Sequence, residues 1–264
     1  MRTQPIGVFD SGIGGLTILR ALRRALPQEN FIYFGDTANV PYGGKSKAAV
    51  TRLALNVAKF LEKCGVKLIV VACNTASAQA LPTLRKQLKV PVLGVIEPGT
   101  NAAVSSTQNN KIAVLGTQGT VESRAYVKAI QKRRKPAQVF QQACPLFVPL
   151  AEEGFAQKPA AKLIAQEYLA PVKASGADTV ILGCTHYPIL KNLIAQILGP
   201  HVTLVDSAET LARAAKQFLQ DKKLTAVKGR GHVKLYASDA PDKFTRSAHK
   251  LLGEKTAKAT LKKV

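Results

Sequence analysis

Short apolar runs alternate with amphipathic stretches along this 264-residue chain. No other feature constrains its fold as strongly. Apolar runs of strand length suit strands buried on both faces, and the amphipathic stretches suit helices laid across them. Ile6 to Phe9, Phe31 to Phe34, Lys67 to Ala72 and Pro91 to Ile96 read as strands. Helices are expected from about Gly15 to Leu26 and from Lys47 to Cys64, where Leu53, Val57, Phe60 and Leu61 share a face. A third is expected from an Asn74 or Thr75 cap to about Leu88. Strands alternating with helices in this way imply an α/β fold with mainly parallel sheets flanked by helices.

The pattern then restarts. Lys111 to Leu115, Val139 to Gln142, Thr179 to Leu182 and Val202 to Val205 read as strands. Pro159 to Lys173 and Thr185 to Leu198 read as helices, and Ser207 caps another that runs to about Gln220. Val233 to Ala237 is a last strand before a C-terminal helix. IGVFDSGIGG at Ile6 and IAVLGTQGT at Ile112 occupy equivalent places, as do LIVVACNTASAQAL and TVILGCTHYPIL. Two similar lobes related by a pseudo-two-fold axis are therefore expected, with an active site in the cleft between them. The division places residues 1–97 plus 208–264 in an N-terminal lobe completed by the C-terminal segment, and 98–207 in the second lobe.

Composition narrows the class. Hydrophobic residues make up 46% of the chain, enough for a sizeable core and too many for a disordered one. No apolar run is long enough to span a membrane. Asp10 interrupts the first apolar stretch too early for a signal peptide, so a cytoplasmic protein is expected. Four dispersed cysteines with no CxxC pair argue against a disulfide framework or a cysteine zinc site. Lys and Arg number 38 against 16 Asp and Glu, a formal net charge of +22. Such an excess suits an anionic partner, yet no helix-turn-helix, finger or ribonucleoprotein motif accompanies it. A solvated basic surface is the favoured reading, and accessory nucleic-acid affinity the lesser one.

In open α/β sheets, ligands bind beyond the carboxyl ends of the strands. The residues there are Asp10-Ser11, Asp36, Cys73-Asn74-Thr75, Gly116-Thr117 and Cys184-Thr185-His186. A cysteine at a helix N-terminus has a chemical use, because the dipole and free amides favour the thiolate. Two such cysteines facing each other can remove a proton from one side of a carbon and return one to the other, which is two-base racemisation or epimerisation. Cys73 and Cys184, paired by the duplication, suit that role, whereas Cys64 and Cys144 read as small buried hydrophobes. DSGIGG at Asp10 reads as a tight turn with a helix cap, or as a cradle in which Asp10 meets an ammonium or relays a proton and Ser11 donates to a carboxylate. Asp36 reads as a loop cap, and the amides of Tyr42 and Gly43 can bind an anion. His186 can pair with a thiolate. Glu152 and Glu153 can orient it, or are ordinary loop charges. No His, Asp or Glu cluster has metal spacing and no lysine sits in a recognisable Schiff-base site, so no metal and no cofactor is expected.

DSGIGGLT at Asp10, YFGDTANVPYG at Tyr33, VACNTASA at Val71, GVIEPG at Gly94, CPLFVPLAEEG at Cys144 and LGCTHYPIL at Leu182 together resemble the glutamate racemases of the aspartate/glutamate racemase superfamily. The resemblance implies a cofactor-independent enzyme that interconverts L- and D-glutamate and supplies D-glutamate for peptidoglycan synthesis. It implies that Cys73 and Cys184 are the catalytic acid and base, with Cys73 handling the proton of the D-isomer and Cys184 that of the L-isomer. Asp10 and His186 assist on their respective sides, with Glu152 behind His186. Ser11, Pro41, Tyr42, Gly43, Asn74, Thr75, Thr117, Thr120 and Thr185 bind the substrate. A homodimer is expected. Without the N-terminal extension that the family links to activation by a peptidoglycan precursor, regulation of that kind is not expected. Two other readings remain open: a relative acting on aspartate or a hydantoin, and a nucleic-acid or DNA gyrase partner suggested by the basic charge.

Overall fold

The computed structural model describes residues 2–227, 229–253 and 258–264. The first half runs β1 (Ile6–Asp10), α1 (Leu16–Ala25), β2 (Phe31–Gly35), α2 (Lys47–Lys63), β3 (Leu68–Val71), α3 (Asn74–Gln79), α4 (Leu81–Gln87) and β4 (Val92–Gly94). Next come α5 (Ile96–Ser106), β5 (Lys111–Gly116), α6 (Gln118–Ser123), α7 (Ala125–Arg133), β6 (Gln138–Ala143), α8 (Phe147–Glu152), α9 (Pro159–Ala174), β7 (Thr179–Gly183), α10 (Lys191–Leu198) and β8 (Thr203–Asp206). The chain closes with α11 (Ser207–Asp221), β9 (Val233–Ala237), α12 (Pro241–Leu252) and β10 (Thr260–Leu261).

All the strands pair in parallel. One sheet has the order β10-β9-β2-β1-β3-β4 and the other β6-β5-β7-β8. Removing β9 and β10 leaves the same order in both, so β1, β2, β3 and β4 correspond to β5, β6, β7 and β8. The duplication read from the sequence is thus a repeat of strand order. It makes Cys73, just beyond β3, and Cys184, just beyond β7, equivalent positions at carboxyl ends of inner strands. The chain crosses between sheets twice, through α5 and through α11.

One apolar cluster joins the halves. Ile6, Val8 and Leu16 share it with Ile112, Val114 and Ile181, and Leu211 and Leu219 of α11 belong to it too. Each such side chain, fully buried, contributes about 1.5–3 kcal/mol. At the base of the first sheet a buried ion pair joins Lys67 Nζ to Glu29 Oε2 at 2.5 Å. Lys67 also donates to the carbonyls of Arg2 and Leu224 at 2.7 and 2.8 Å, fastening the segment after α11 to the start of β3. Among the described residues, no helix is long and apolar enough to cross a membrane.

Several local details differ from the sequence reading. The helix expected from residue 74 to 88 breaks at Ala80, next to Pro82, into α3 and α4. The stretch from Thr185 is no single helix: Tyr187–Leu190 form a 3-10 turn and α10 follows. Helices α5 and α8 carry Pro98, Gly99 and Pro149 and were not expected as helices.

Candidate active site

The site is built from strand ends of both sheets. On the first sheet, the buried Asp10 ends β1 and folds the glycine-rich turn around itself. Its Oδ2 accepts the N–H groups of Gly12 and Gly15 at 3.1 and 3.0 Å, while its buried Oδ1 has no partner. Burial pushes the Asp10 carboxyl up from its ordinary range, against the positive charge of His186 and the amides of Gly15, Gly12 and Ser11. The glycines are steric requirements. A Cβ on Gly15 would come within 2.5 Å of Asp10 Cβ and 2.7 Å of the Tyr33 hydroxyl, which donates to Gly12 O.

Cys73, 5% exposed, caps α3 itself, in place of the expected Asn74 or Thr75. Its Sγ accepts the Ala76 N–H at 3.5 Å and lies 3.8 Å from Ser11 Oγ. The helix end was expected to lower this thiol. Instead burial, then the charge of Asp10, pushes it up to about 12, and the contacts from Ala76 and Ser11 only moderate the rise. A six-residue helix supplies too little dipole to offset full desolvation.

Cys184, 6% exposed, has different surroundings. It leads into the 3-10 turn and not an α-helix, and its Sγ lies 3.8 Å from His186 Nδ1. His186 Nε2 is 2.9 Å from Glu152 Oε1. Burial disfavours the imidazolium, but the bonds to Cys184 and Glu152, with the charges of Cys184 and Asp10, outweigh it and push the ring up to about 10. Each cysteine therefore has its own polar neighbours, Ser11 and Asp10 for Cys73, His186 and, behind it, Glu152 for Cys184. Cys73 lies close enough to Cys184 to feel its charge.

Hydroxyl groups close the gap between the halves. Thr75 Oγ1 is 2.8 Å from Thr117 Oγ1, and Thr117 Oγ1 is 3.0 Å from that of Thr120. Thr17 Oγ1 donates to Thr185 O at 3.4 Å. Two glycines permit the approach: a Cβ on Gly14 would meet Thr185 Oγ1 at 2.4 Å, and one on Gly43 would meet Thr117 Cβ at 2.7 Å. Tyr42 donates its hydroxyl to Asp36 Oδ2 at 2.6 Å, and Asp36 Oδ1 accepts from Ser238 and Asn39. Asp36 is thus the anchor of the loop that carries Tyr42 and Gly43. Pro41 stays exposed at its edge. Cys144 is buried beside Gln142 O, and Cys64 lies outside the site, capping the end of α2.

Sequence reasoning missed Tyr126, whose hydroxyl donates to Asn74 Oδ1 at 2.8 Å across 52 positions of chain. No local signal marks it. A surface cavity of about 610 Å³, bordered by Thr17, Arg20, Pro188, Asp206 and Arg213, holds neither cysteine. A smaller one of about 220 Å³ reaches Gly12, Val40 and Glu152 from outside.

Comparison with known proteins decides the relationship. The family profile of Asp/Glu/hydantoin racemases matches residues 6–215. The chain belongs to this family. It is 49% identical to a glutamate racemase of Geobacter metallireducens over 258 residues, 97% of this chain and 95% of that protein. Its structure is similar to that of a glutamate racemase from Bacillus anthracis, with a TM-score of 0.97 at 35% identity, covering 100% of this chain and 99% of that one. A glutamate racemase of Francisella tularensis, solved in complex with D-glutamate, matches with a TM-score of 0.94 at 38% identity, covering 100% and 98%. The racemase family therefore accounts for both halves and for the segment that follows them.

Proposed function

We propose that this enzyme is a glutamate racemase that interconverts L- and D-glutamate with two cysteines and no cofactor. The observation that carries the reading is the equivalent placement of Cys73 and Cys184, both buried and each with its own polar neighbours. One sulfur, as thiolate, takes the α-proton. The Cα–H bond breaks, an S–H bond forms, and the electron pair stays on Cα, delocalised into the carboxylate. The opposite thiol then gives its proton to the other face of Cα. Cys184 removes the proton of the L-isomer and Cys73 that of the D-isomer. A proton exchange with solvent resets the pair.

An amino-acid α-proton is far less acidic than a thiol, so the enzyme must stabilise the developing charge by several kcal/mol. Ser11, Asn74, Thr75, Thr117, Thr120 and Thr185 supply donors for the carboxylates. The turn through Pro41, Tyr42 and Gly43 closes over them. Asp10 meets the ammonium from the Cys73 side. His186, held by Glu152, shuttles the proton of Cys184. The two-lobe division, 1–97 plus 208–264 and 98–207, puts these groups on opposite walls. Relatives named as glutamate racemases, one of them holding D-glutamate, support glutamate over aspartate or a hydantoin. The product supplies peptidoglycan synthesis in the cytoplasm.

Circular dichroism of purified enzyme with each enantiomer tests the reading. Cys73→Ser and Cys184→Ser should each abolish racemisation, and a variant turning over like the wild type would falsify the assignment. The expected homodimer is checked by light scattering. A recess of about 280 Å³ lined by Arg20, Arg23, Arg24 and Arg230 favours a weak additional affinity for nucleic acid. Duplex DNA binding that weakens steeply with salt is the expected result, and no binding at low salt rejects it.

A further inference from the structure

Asn74 follows Cys73 and is only 2% exposed. Its carboxamide is half satisfied: Oδ1 accepts the Tyr126 hydroxyl at 2.8 Å, while the buried Nδ2 has no partner. A buried donor left unpaired costs about 1–3 kcal/mol, so its place beside Cys73 calls for a ligand that accepts from it. A free carboxamide can turn over and present its oxygen where the nitrogen should be. The Tyr126 hydroxyl, which also has Ser207 as a neighbour, donates its proton to Oδ1 and so opposes that turn.

Tyr126 is well placed for this task. It lies on α7, packed in the second sheet's part of the shared core, and is fully buried. A Cβ on Gly99 of α5 would stand 3.4 Å from its ring, and one on Gly183, just before Cys184, 3.3 Å from it. The same side chain thus meets one of the two crossings between the sheets, the strand end that carries Cys184, and the residue beside Cys73. We infer that Tyr126 is a positioning residue for the reaction, fixing the Asn74 carboxamide from the opposite half so that Nδ2 faces the substrate carboxylate. The inference rests on the reading of Asn74 as a substrate ligand.

Tyr126→Phe keeps the ring and its packing and removes only the oxygen. It should lower the melting temperature by only a few degrees and lower kcat/KM about tenfold for both enantiomers, chiefly through KM. The deciding readout is a double-mutant cycle. With Asn74→Ala already present, adding Tyr126→Phe should change kcat/KM by less than about twofold. Independent, multiplying losses would overturn the inference while leaving Asn74 as a ligand. An Asn74→Ala variant with wild-type KM would instead overturn the reading of Asn74, and the inference with it. If Tyr126→Phe folds poorly, Asn74→Asp supplies a second test. It keeps an acceptor for Tyr126 and puts a carboxylate oxygen where the donor stood, so it should lose more activity than Asn74→Ala. A smaller loss means that Nδ2 does not face the carboxylate.

Discussion

Gly14→Ala probes the closeness of the two halves at the site. Its φ lies outside the left-handed region, so alanine fits the backbone and only space opposes it. The new methyl would stand 2.4 Å from Thr185 Oγ1, 2.7 Å from His186 Cε1 and 2.8 Å from His186 Nδ1. Ordinary contact begins near 3.4 Å, so the opposite wall must retreat by up to about 1 Å. Turning the Thr185 hydroxyl aside does not solve the problem, because the imidazole edge remains, held at 2.9 Å by Glu152. A displacement of about 1 Å at reacting groups costs on the order of 100-fold in rate, roughly 2.7 kcal/mol of barrier. We expect kcat/KM to fall by about that factor, equally for both enantiomers, since the overall equilibrium is symmetric. The melting temperature should change little, because the shared apolar core is untouched. Gly44→Ala, with nothing within 4 Å of its Cβ, serves as the matched control and should behave as wild type. Steady-state dichroism in both directions and thermal melting provide the data. Wild-type turnover by Gly14→Ala would show that the juxtaposition of Gly14 with Thr185 and His186 is not the geometry in which the enzyme works.

Two further outcomes follow from the electrostatics. Burial and the Asp10 charge push Cys73 up to about 12, so below that pH it is mainly the thiol. The thiolate absorbance lost in Cys73→Ser should be absent at pH 7, and in Asp10→Asn, where the raising charge is gone, it should emerge at lower pH than in wild type. A Cys73-dependent thiolate already present at pH 7 contradicts this. At the base of the first sheet, Lys67→Met strands the buried Glu29 carboxylate and should cost about 3–5 kcal/mol in urea unfolding, with kcat retained. A loss under about 1 kcal/mol would mean the pair is not buried in solution.

Much of this architecture was legible in the chain because duplication leaves a periodic trace. The apolar strands ending in Cys73 and Cys184 lie in matching contexts, and the parallel order of both sheets follows from the alternation around them. What sequence could not supply was set by contacts between distant positions. Cys73 was expected to be an activated thiol at a helix end, but full desolvation and Asp10 dominate there. A 3-10 turn through Tyr187–Leu190 stands where a helix was expected to start after Cys184. Asp36 proved to anchor a loop through Tyr42 and Ser238, 202 positions away. Helix α5 hides behind Pro98 and Gly99, residues that usually end helices, and is held by its place in the core between the sheets.

The two-base chemistry itself is read most directly by isotope. L-glutamate incubated in D2O with the enzyme, and sampled early, should yield D-glutamate carrying deuterium at Cα while the remaining L-glutamate keeps its protium. D-glutamate should give the mirror result. Product that retains the original α-protium, or deuterium entering the unreacted enantiomer as fast as the product forms, would mean that a single group handles both faces.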